Sequence, residues 1–303
     1  MELKEEVLCN FKVSVQRKKV WQKELEMVRL FVDLCKRHHL KYFAASGTLI
    51  GAIRHKGFIP WDDDIDLMMP REDYERFIKI AKEELKDGPF FLQHYTTEKN
   101  YPNGHAQIRN SLTTCFIKES YVDLKNGKNC GIFIDIFPYD LVYDDFKKRK
   151  KYCKKIKLLK ALALWRVYTP KSLIRKLAVQ FYFCFHSLQK TIVKIDQLSK
   201  SFPKKEAQKT VALPSFMPGY EKEVWPKEWF DDAIEHPFED IYIAIPVQYD
   251  EVLRKEYGDY MAIPEDKGGA MHGQCYFNCE VPYEQYKNIS KEEFDQLFLT
   301  NQL

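Results

Sequence analysis

The chain has 303 residues, 45% of them hydrophobic and 30% charged, with a formal net charge of +4 at pH 7. That composition fits a globular protein of one large domain or two small ones, with a sizeable core. No run of eighteen apolar residues is present, and residues 1–19 mix acids and bases, so neither a membrane span nor a secretory signal is expected. Cys9, Cys35, Cys115, Cys130, Cys153, Cys184, Cys275 and Cys279 are scattered without a CxxC, which points to a reduced, cytoplasmic compartment. His272, Cys275 and Cys279 lie close in sequence but fit no common zinc spacing, so the cysteines read as small buried hydrophobes. Charge is unevenly spread: residues 141–200 hold sixteen Lys/Arg and three Asp, a local +13 that leaves −9 for the rest.

In chain order, residues 18–39 carry Val20, Leu25, Val28, Phe31, Val32 and Cys35 at helical spacing. Residues 41–45 read as a short strand, Ser46-Gly47-Thr48 as a turn, and 49–54 as the start of a helix. Residues 58–61 lead into a strand over roughly 63–69. Pro70 stops it, and a charged amphipathic helix follows over 71–85, ended near Asp87-Gly88-Pro89. Short strands are expected at 90–94, 104–109, 111–118 and 120–124, and a buried one at 131–137 (GIFIDIF). Residues 145–200 predict two long helices broken at Thr169-Pro170. The first is basic; the second carries Leu177, Val179, Phe181, Tyr182, Phe183 and Phe185. Residues 201–219, with three prolines and a glycine, read as a linker. Strands near 233–235 and 241–245, a helix over 246–257 ended by Gly258, and a short helix capped by Ser290 complete the pattern.

Asp62, Asp63, Asp64 and Asp66 crowd into five positions. On a strand alternate residues share a face, so Asp62, Asp64 and Asp66 would project together. Like charges so placed repel unless a cation neutralises them, and a hard divalent ion such as Mg2+ or Mn2+ is the usual partner. An acidic run alone more often forms a solvated loop, but the apolar flanks Ile65, Leu67, Met68 and Met69 fit a buried strand. Asp135 sits in mid-strand on the face of Phe133 and Phe137, while Ile132, Ile134 and Ile136 face the other way. A carboxylate there needs a partner. It is either paired with a buried arginine or is a third ligand, with Asp64 and Asp66, for one or two Mg2+ about 4 Å apart.

Backbone N–H groups at Ser46-Gly47-Thr48 can cap a helix or cradle a phosphate; the triplet fits neither the P-loop nor the dinucleotide fingerprint. Arg54, His55 and Lys56 place positive charge nearby, although each alone would read as a solvated surface residue. Cradle, basic triplet and acidic cluster within some twenty residues describe a site for a polyphosphate–Mg2+ complex.

The small residue–Gly–Thr turn, Asp64-Ile65-Asp66-Leu67 and Ile134-Asp135-Ile136 resemble the nucleotidyltransferase-fold signature. More narrowly, GTLIGAIRHKGFIPWDDDIDLMMPREDYERF resembles the LicD family of phosphotransferases, which includes the fukutin-type enzymes; GIFIDIFPYD and YGDYMAIP are also similar to that family. The resemblance spans roughly 20–140 and 225–275, leaving 145–220 unmatched. It implies a metal-dependent transferase that moves a phospho-substituent, typically phosphocholine, from CDP-choline or a CDP-polyol onto a sugar hydroxyl of a cell-surface glycan, such as teichoic acid or lipopolysaccharide. By that resemblance Asp64, Asp66 and Asp135 fall on the metal-binding carboxylates, and Gly47 and Thr48 on the turn that faces donor phosphate. Arg54, His55 and Lys56 fall within the motif. Arg109 sits where the family tends to have a basic residue that can hold phosphate, and His272 follows YGDYM at a spacing the family often uses, although 267–270 departs from the pattern. The chemistry then requires a base for the acceptor hydroxyl, with Asp135 first and Asp62 second. A choline head group would need an aromatic cage, which 44 aromatic residues can supply.

Two other functions fit the same signature: a nucleotidyltransferase that uses an NTP and releases pyrophosphate, and a non-catalytic membrane-associated binding protein. Residues 147–160 (KKRKKYCKKIKLLK) read as a solvated helix face, as an attachment to anionic lipid that would make the protein peripheral on the inner face of a membrane, or, least favoured, as a nucleic-acid contact; no nucleic-acid module accompanies them. The expected fold is α/β, a nucleotidyltransferase-like mixed sheet flanked by helices. Residues 1–140 and 221–303 would form the catalytic domain, with a helical insertion at 141–220.

Overall fold

The computed structural model describes residues 1–265, 267 and 275–299. Strands β1 (Glu6–Leu8) and β2 (Phe11–Val13) form a hairpin turned by Cys9 and Asn10, both with positive φ. Helix α1 (Val15–Arg37) follows, capped by Ser14, whose side chain accepts the Arg17 N–H, and ending on Lys36 and Arg37, which suit the helix dipole. Strand β3 (Phe43–Ala44) leads into α2 (Ser46–Ile50), which widens into a π-helical turn over Gly51–His55. Gly51 permits that turn: a Cβ there would lie 2.4 Å from the Gly57 carbonyl oxygen. Next come β4 (Asp66–Pro70), α3 (Arg71–Glu84), β5 (Phe90–Gln93), β6 (Ala106–Asn110), β7 (Thr114–Phe116), α4 (Ser120–Lys125) and the long β8 (Ile132–Leu141). Three helices follow, α5 (Phe146–Val167), α6 (Leu173–Phe185) and α7 (Leu188–Ser199). The chain continues through β9 (Thr210–Ala212), β10 (Val224–Pro226), β11 (Ala233–Phe238), β12 (Ile241–Pro246), α8 (Tyr249–Tyr257), β13 (Tyr276–Asn278) and α9 (Lys291–Leu297).

The main sheet has seven strands and is mixed, as the α/β reading requires. Its spine runs β10-β9-β8-β4-β3, with β6 on β8 and β5 on β6. Among the described residues of this sheet, only β4 and β8 pair in parallel. Strand β8 organises the fold. Ile132–Asn110 through Ile136–Ala106 pair it with β6, Asp135–Asp66 through Tyr139–Pro70 pair it with β4, and its last two residues pair with β9. One of its faces, Ile132, Ile134 and Ile136, is fully buried, and α1 packs on the strand. That face explains the apolar stripe of α1, where Val20, Leu25, Val28 and Phe31 are all buried.

Residues of α5, α7 and the segment after them form a second apolar cluster, with Cys153, Ile156, Ala163, Ile192, Ile195 and Phe202 buried. Arg71, at the start of α3, ties it to the sheet. Its guanidinium donates to both oxygens of Asp140 at 2.7 and 2.6 Å and to Asp196 of α7 at 2.8 Å. Burial pushes Asp140 up to about 6, against the pull of Arg71, while Asp196, with Arg71 and Lys200 beside it, is lowered despite its own burial.

Four expectations are corrected. The segment after Glu119 is helix α4, not a strand: its buried residues are Ser120 and Leu124, four apart, a helical rather than alternating period. The helical region has three helices, because His186 is extended and Ser187 caps α7 by accepting the Lys190 N–H. The strand expected over 63–69 begins only at Asp66. The linker at 201–219 contains β9, which joins the main sheet.

Candidate active site

Asp135 and Asp66 are register partners on adjacent parallel strands, and therefore present their side chains on the same face of the sheet. The Asp135 N–H donates to the Ile65 carbonyl at 2.8 Å, and the Asp66 N–H donates to the Thr48 hydroxyl at 2.8 Å. Asp62 to Ile65 are not strand. The Asp62 N–H turns back to the Ile59 carbonyl, while Arg17 and Trp21 of α1 both donate to the Asp62 carbonyl at 2.9 Å. The simple alternation of Asp62, Asp64 and Asp66 along one strand is thereby broken. Asp64 nevertheless lines the same cavity as Asp66 and Asp135, which has a volume of about 530 Å3. Asp62 lies to one side, its Oδ2 so close to Gly47 that a Cβ there would stand 2.6 Å from it. With Gly47, Thr48 and Asp64 it borders a narrow crevice.

Asp135 is not paired with a buried arginine. Its Oδ1 accepts from Gln107 Nε2 at 2.8 Å and meets His105 Nε2 at 2.8 Å, and among the described residues its Oδ2 bonds to nothing. Gln107 is the β6 register partner of Asp135, so the sheet itself delivers this contact. Arg109 sits one layer further back. Its guanidinium donates to Gln107 Oε1, Gln93 Oε1 and the Gly131 carbonyl and lies 4.5 Å from the Phe133 ring centroid. It borders a smaller adjoining cavity rather than the one holding the aspartates, and acts on Asp135 through Gln107. His105 is buried against Phe137 and Phe216 at 4.6 and 5.1 Å, with Nδ1 unbonded.

The remaining cavity wall holds groups that the sequence did not single out. Glu24 of α1 is 1% exposed, its Oε2 has no hydrogen-bond partner, and burial together with Asp63, Asp64 and Asp62 holds it well above the usual carboxylate range. Lys118 is a cation at the mouth, Asn103 adds a polar group, and Phe133, Phe137, Phe216 and Phe277 supply aromatic surface. Arg17, buried behind the loop, faces Asp63, Asp62 and Glu24 and offsets part of their charge; burial lowers its own pKa. Among the described residues, no three His, Cys, Asp or Glu side chains form a group able to hold a metal ion as they stand.

The basic triplet lies elsewhere. Arg54 donates to the carbonyls of Tyr260 and Ala262 at 2.6 and 3.0 Å and to His55 Nε2 at 2.9 Å, so it fastens the segment after α8. Burial, then Arg54, lowers His55 to about 4, which leaves it uncharged at neutral pH. Lys56 takes the left-handed conformation, φ 56°, that closes the π-helical turn, and its carbonyl accepts the Glu239 N–H. Ser46 also has positive φ, 46°, and its side chain meets the Tyr257 hydroxyl. None of Ser46, Gly47, Thr48, Arg54, His55 and Lys56 lines the aspartate cavity. His272 lies outside the described residues.

The profile of the nucleotidyltransferase domain shared by LicD, FKTN and FKRP matches residues 39–161. That span runs from the approach to β3 into α5, and holds both aspartate strands. The chain is also 31% identical over 261 residues to the lipopolysaccharide cholinephosphotransferase LicD of Haemophilus influenzae, covering 82% of this chain and 92% of that protein. Shorter matches, to uncharacterised proteins of Rickettsia typhi and Rickettsia prowazekii, are 40% identical over 71 residues (22% of this chain, 23% of that one) and 44% over 55 residues (17% and 21%). The chain belongs to the LicD family of phosphotransferases.

Proposed function

We propose that this protein transfers a phospho-substituent, phosphocholine foremost, from a CDP-linked donor to a hydroxyl of a cell-surface glycan or its lipid-linked precursor. One observation carries the reading: Asp66 and Asp135, in register on adjacent parallel strands, share one cavity with Asp64 in a chain that is 31% identical to a cholinephosphotransferase. The donor chemistry is all carboxylate oxygen, which suits a hard divalent cation, so Asp64, Asp66 and Asp135 would hold Mg2+ or Mn2+. When bound, such an ion would supply positive charge against the pyrophosphate linkage of the donor.

The chain's own groups have distinct tasks. Gln107 and His105 fix Asp135 through Oδ1, so Oδ2 is available to accept the acceptor's hydroxyl proton. Thr48 fixes the backbone of Asp66, so its part in this reading is to position a carboxylate. Lys118, at the cavity mouth, can meet phosphate oxygens as charge builds on the departing nucleoside monophosphate. Four phenylalanines along the wall offer π-faces to a quaternary ammonium. A lipid-linked acceptor would place the work at the cytoplasmic surface of a membrane; among the described residues no helix is long and apolar enough to cross one.

The test offers CDP-choline, CDP-ribitol, CDP-glycerol and CTP with Mg2+ or Mn2+ and follows melting temperature and product release. A CDP-linked donor should raise the melting temperature only with metal and yield CMP with an acceptor. Pyrophosphate from CTP, with no CMP from any CDP-linked donor, would replace this reading by a nucleotidyltransferase.

A further inference from the structure

Helix α6 (Leu173–Phe185) carries an apolar face that the described chain leaves uncovered. Leu173, Ile174, Leu177, Phe181 and Phe185 are 70, 79, 56, 72 and 74% exposed. At about 100° per residue they fall within an arc of about 120°. The opposite side holds the helix to the protein: Val179 is buried, Tyr182 and Phe183 are half-buried, and α6 packs against α5. Two cation–π contacts reinforce this, Arg175 over Trp165 at 4.9 Å and Arg166 over Phe183 at 5.6 Å. The apolar face therefore points away from the body. Five large apolar side chains exposed side by side mark a binding surface, not ordinary scatter.

Charge identifies the occupant. Residues 146–195 contain fifteen Lys/Arg and no Asp or Glu. Lys176 stands beside the apolar arc and Lys171 just before the helix, both exposed, while Arg175 lies on the side turned to α5. An apolar strip in a segment whose charged residues are all cations matches the two layers of an anionic bilayer surface, phosphate head groups above and acyl chains beneath. A second copy of this chain would instead bring two cationic segments together. Thirteen residues rise only about 20 Å, too short to cross a hydrocarbon core, so the helix lies in the interface.

We propose that α6 docks the protein on an anionic lipid surface, with Leu173, Ile174, Leu177, Phe181 and Phe185 among the acyl chains and Lys171 and Lys176 on lipid phosphate. This deepens the proposed function by fixing how a lipid-linked acceptor is reached, and rests on that reading for its purpose only. The test uses the full chain with vesicles of phosphatidylglycerol and phosphatidylcholine, or of phosphatidylcholine alone, in co-sedimentation at low and high salt. Binding is expected to the anionic vesicles, to weaken with salt, and to fall at least tenfold in the Phe181→Ser/Phe185→Ser double variant. Those side chains are exposed, so the variant should keep the wild-type melting temperature. A Leu177→Cys variant that also carries Cys9→Ser and Cys184→Ser, labelled with an environment-sensitive dye, should shift to the blue on the same vesicles. No binding at low salt, equal binding by the double variant, or a lipid-free dimer abolished by Phe181→Ser/Phe185→Ser would each overturn the proposal. CMP release with a soluble acceptor is independent of docking: turnover without vesicle binding sinks the docking alone, and vesicle binding without turnover sinks the chemistry alone.

Discussion

Replacing Asp135 by asparagine separates the charge of this residue from its shape. Both protein bonds fall on Oδ1, from Gln107 and near His105, each at 2.8 Å. An amide oxygen in the same place still accepts them, but each weakens by about 1 kcal/mol once its acceptor is neutral, roughly 2 kcal/mol in all. Against this stands repulsion from Asp66, its partner across one inter-strand step. Two carboxylates about 5 Å apart repel by about 3 kcal/mol at an effective dielectric of about 20. The two changes nearly cancel, with about 1 kcal/mol left in favour of the variant. The melting temperature of Asp135→Asn should therefore hold or rise by roughly 2 °C. Turnover should behave oppositely, because an amide can neither take a hydroxyl proton nor oppose a cation as a carboxylate does; a loss of at least about 10²–10⁴-fold is expected. The assay is CMP release from the CDP-linked donor at saturating donor and metal, beside a thermal melt. Turnover within tenfold of wild type would refute the assignment of Asp135. A drop of many degrees would show that the residue serves the fold first.

Thr48→Val removes the acceptor of the Asp66 N–H and should lower turnover, whereas Thr48→Ser should restore most of it, as CMP release would report. Gly104→Ala would put a Cβ 2.1 Å from the Ser215 carbonyl oxygen, next to His105 and Phe216, so a loss of about 1–3 kcal/mol is expected by denaturant unfolding. Burial, followed by Glu223, raises Glu256 to about 8 in the folded protein, while the unfolded chain ionises near 4.5. The folded state then binds more protons between those values, so this group costs stability progressively as pH rises through that window. Glu256→Gln keeps an acceptor for Trp225 Nε1 and should raise the melting temperature by about 7 °C at pH 8, from about 4 kcal/mol, and by much less at pH 5. Arg71→Met leaves Asp140 and Asp196 without their shared cation and should cost about 3–5 kcal/mol in urea unfolding.

The parts of the candidate site that were legible in the sequence are those where chemistry clashes with local pattern. Asp135 stands out because an aspartate interrupts five hydrophobic residues, and Asp66 because it opens an apolar strand. The apolar periods also disclosed α1, α3 and β8 within a few residues. Glu24 was hidden because an acidic residue in a long helix reads as solvated; only the aspartate loop, packed on α1 through Arg17 and Trp21, turns it into a buried group. His105 and Gln107 were hidden for another reason. Their role depends on the register of β6 against β8, a pairing across 28 positions that no local pattern encodes. The basic triplet misled as to place, because a wide helical turn carries Arg54 towards Tyr260 and Ala262. The profile match also runs to residue 161, so the family pattern extends into α5, past the limit near 140 read from the motifs.

Asp135 and Asp140 lie five positions apart on one strand, the first facing the cavity and the second clasped by Arg71, which also holds α7. An extended backbone has little longitudinal give, so the two carboxyl groups are beads on one stiff rod. Whoever grafts the helical segment of a relative into this chain to redirect acceptor choice must therefore carry Asp196 with it. A graft lacking that residue would loosen the far end of the rod, and the loss would surface as poorer turnover with every acceptor, easily mistaken for altered selectivity.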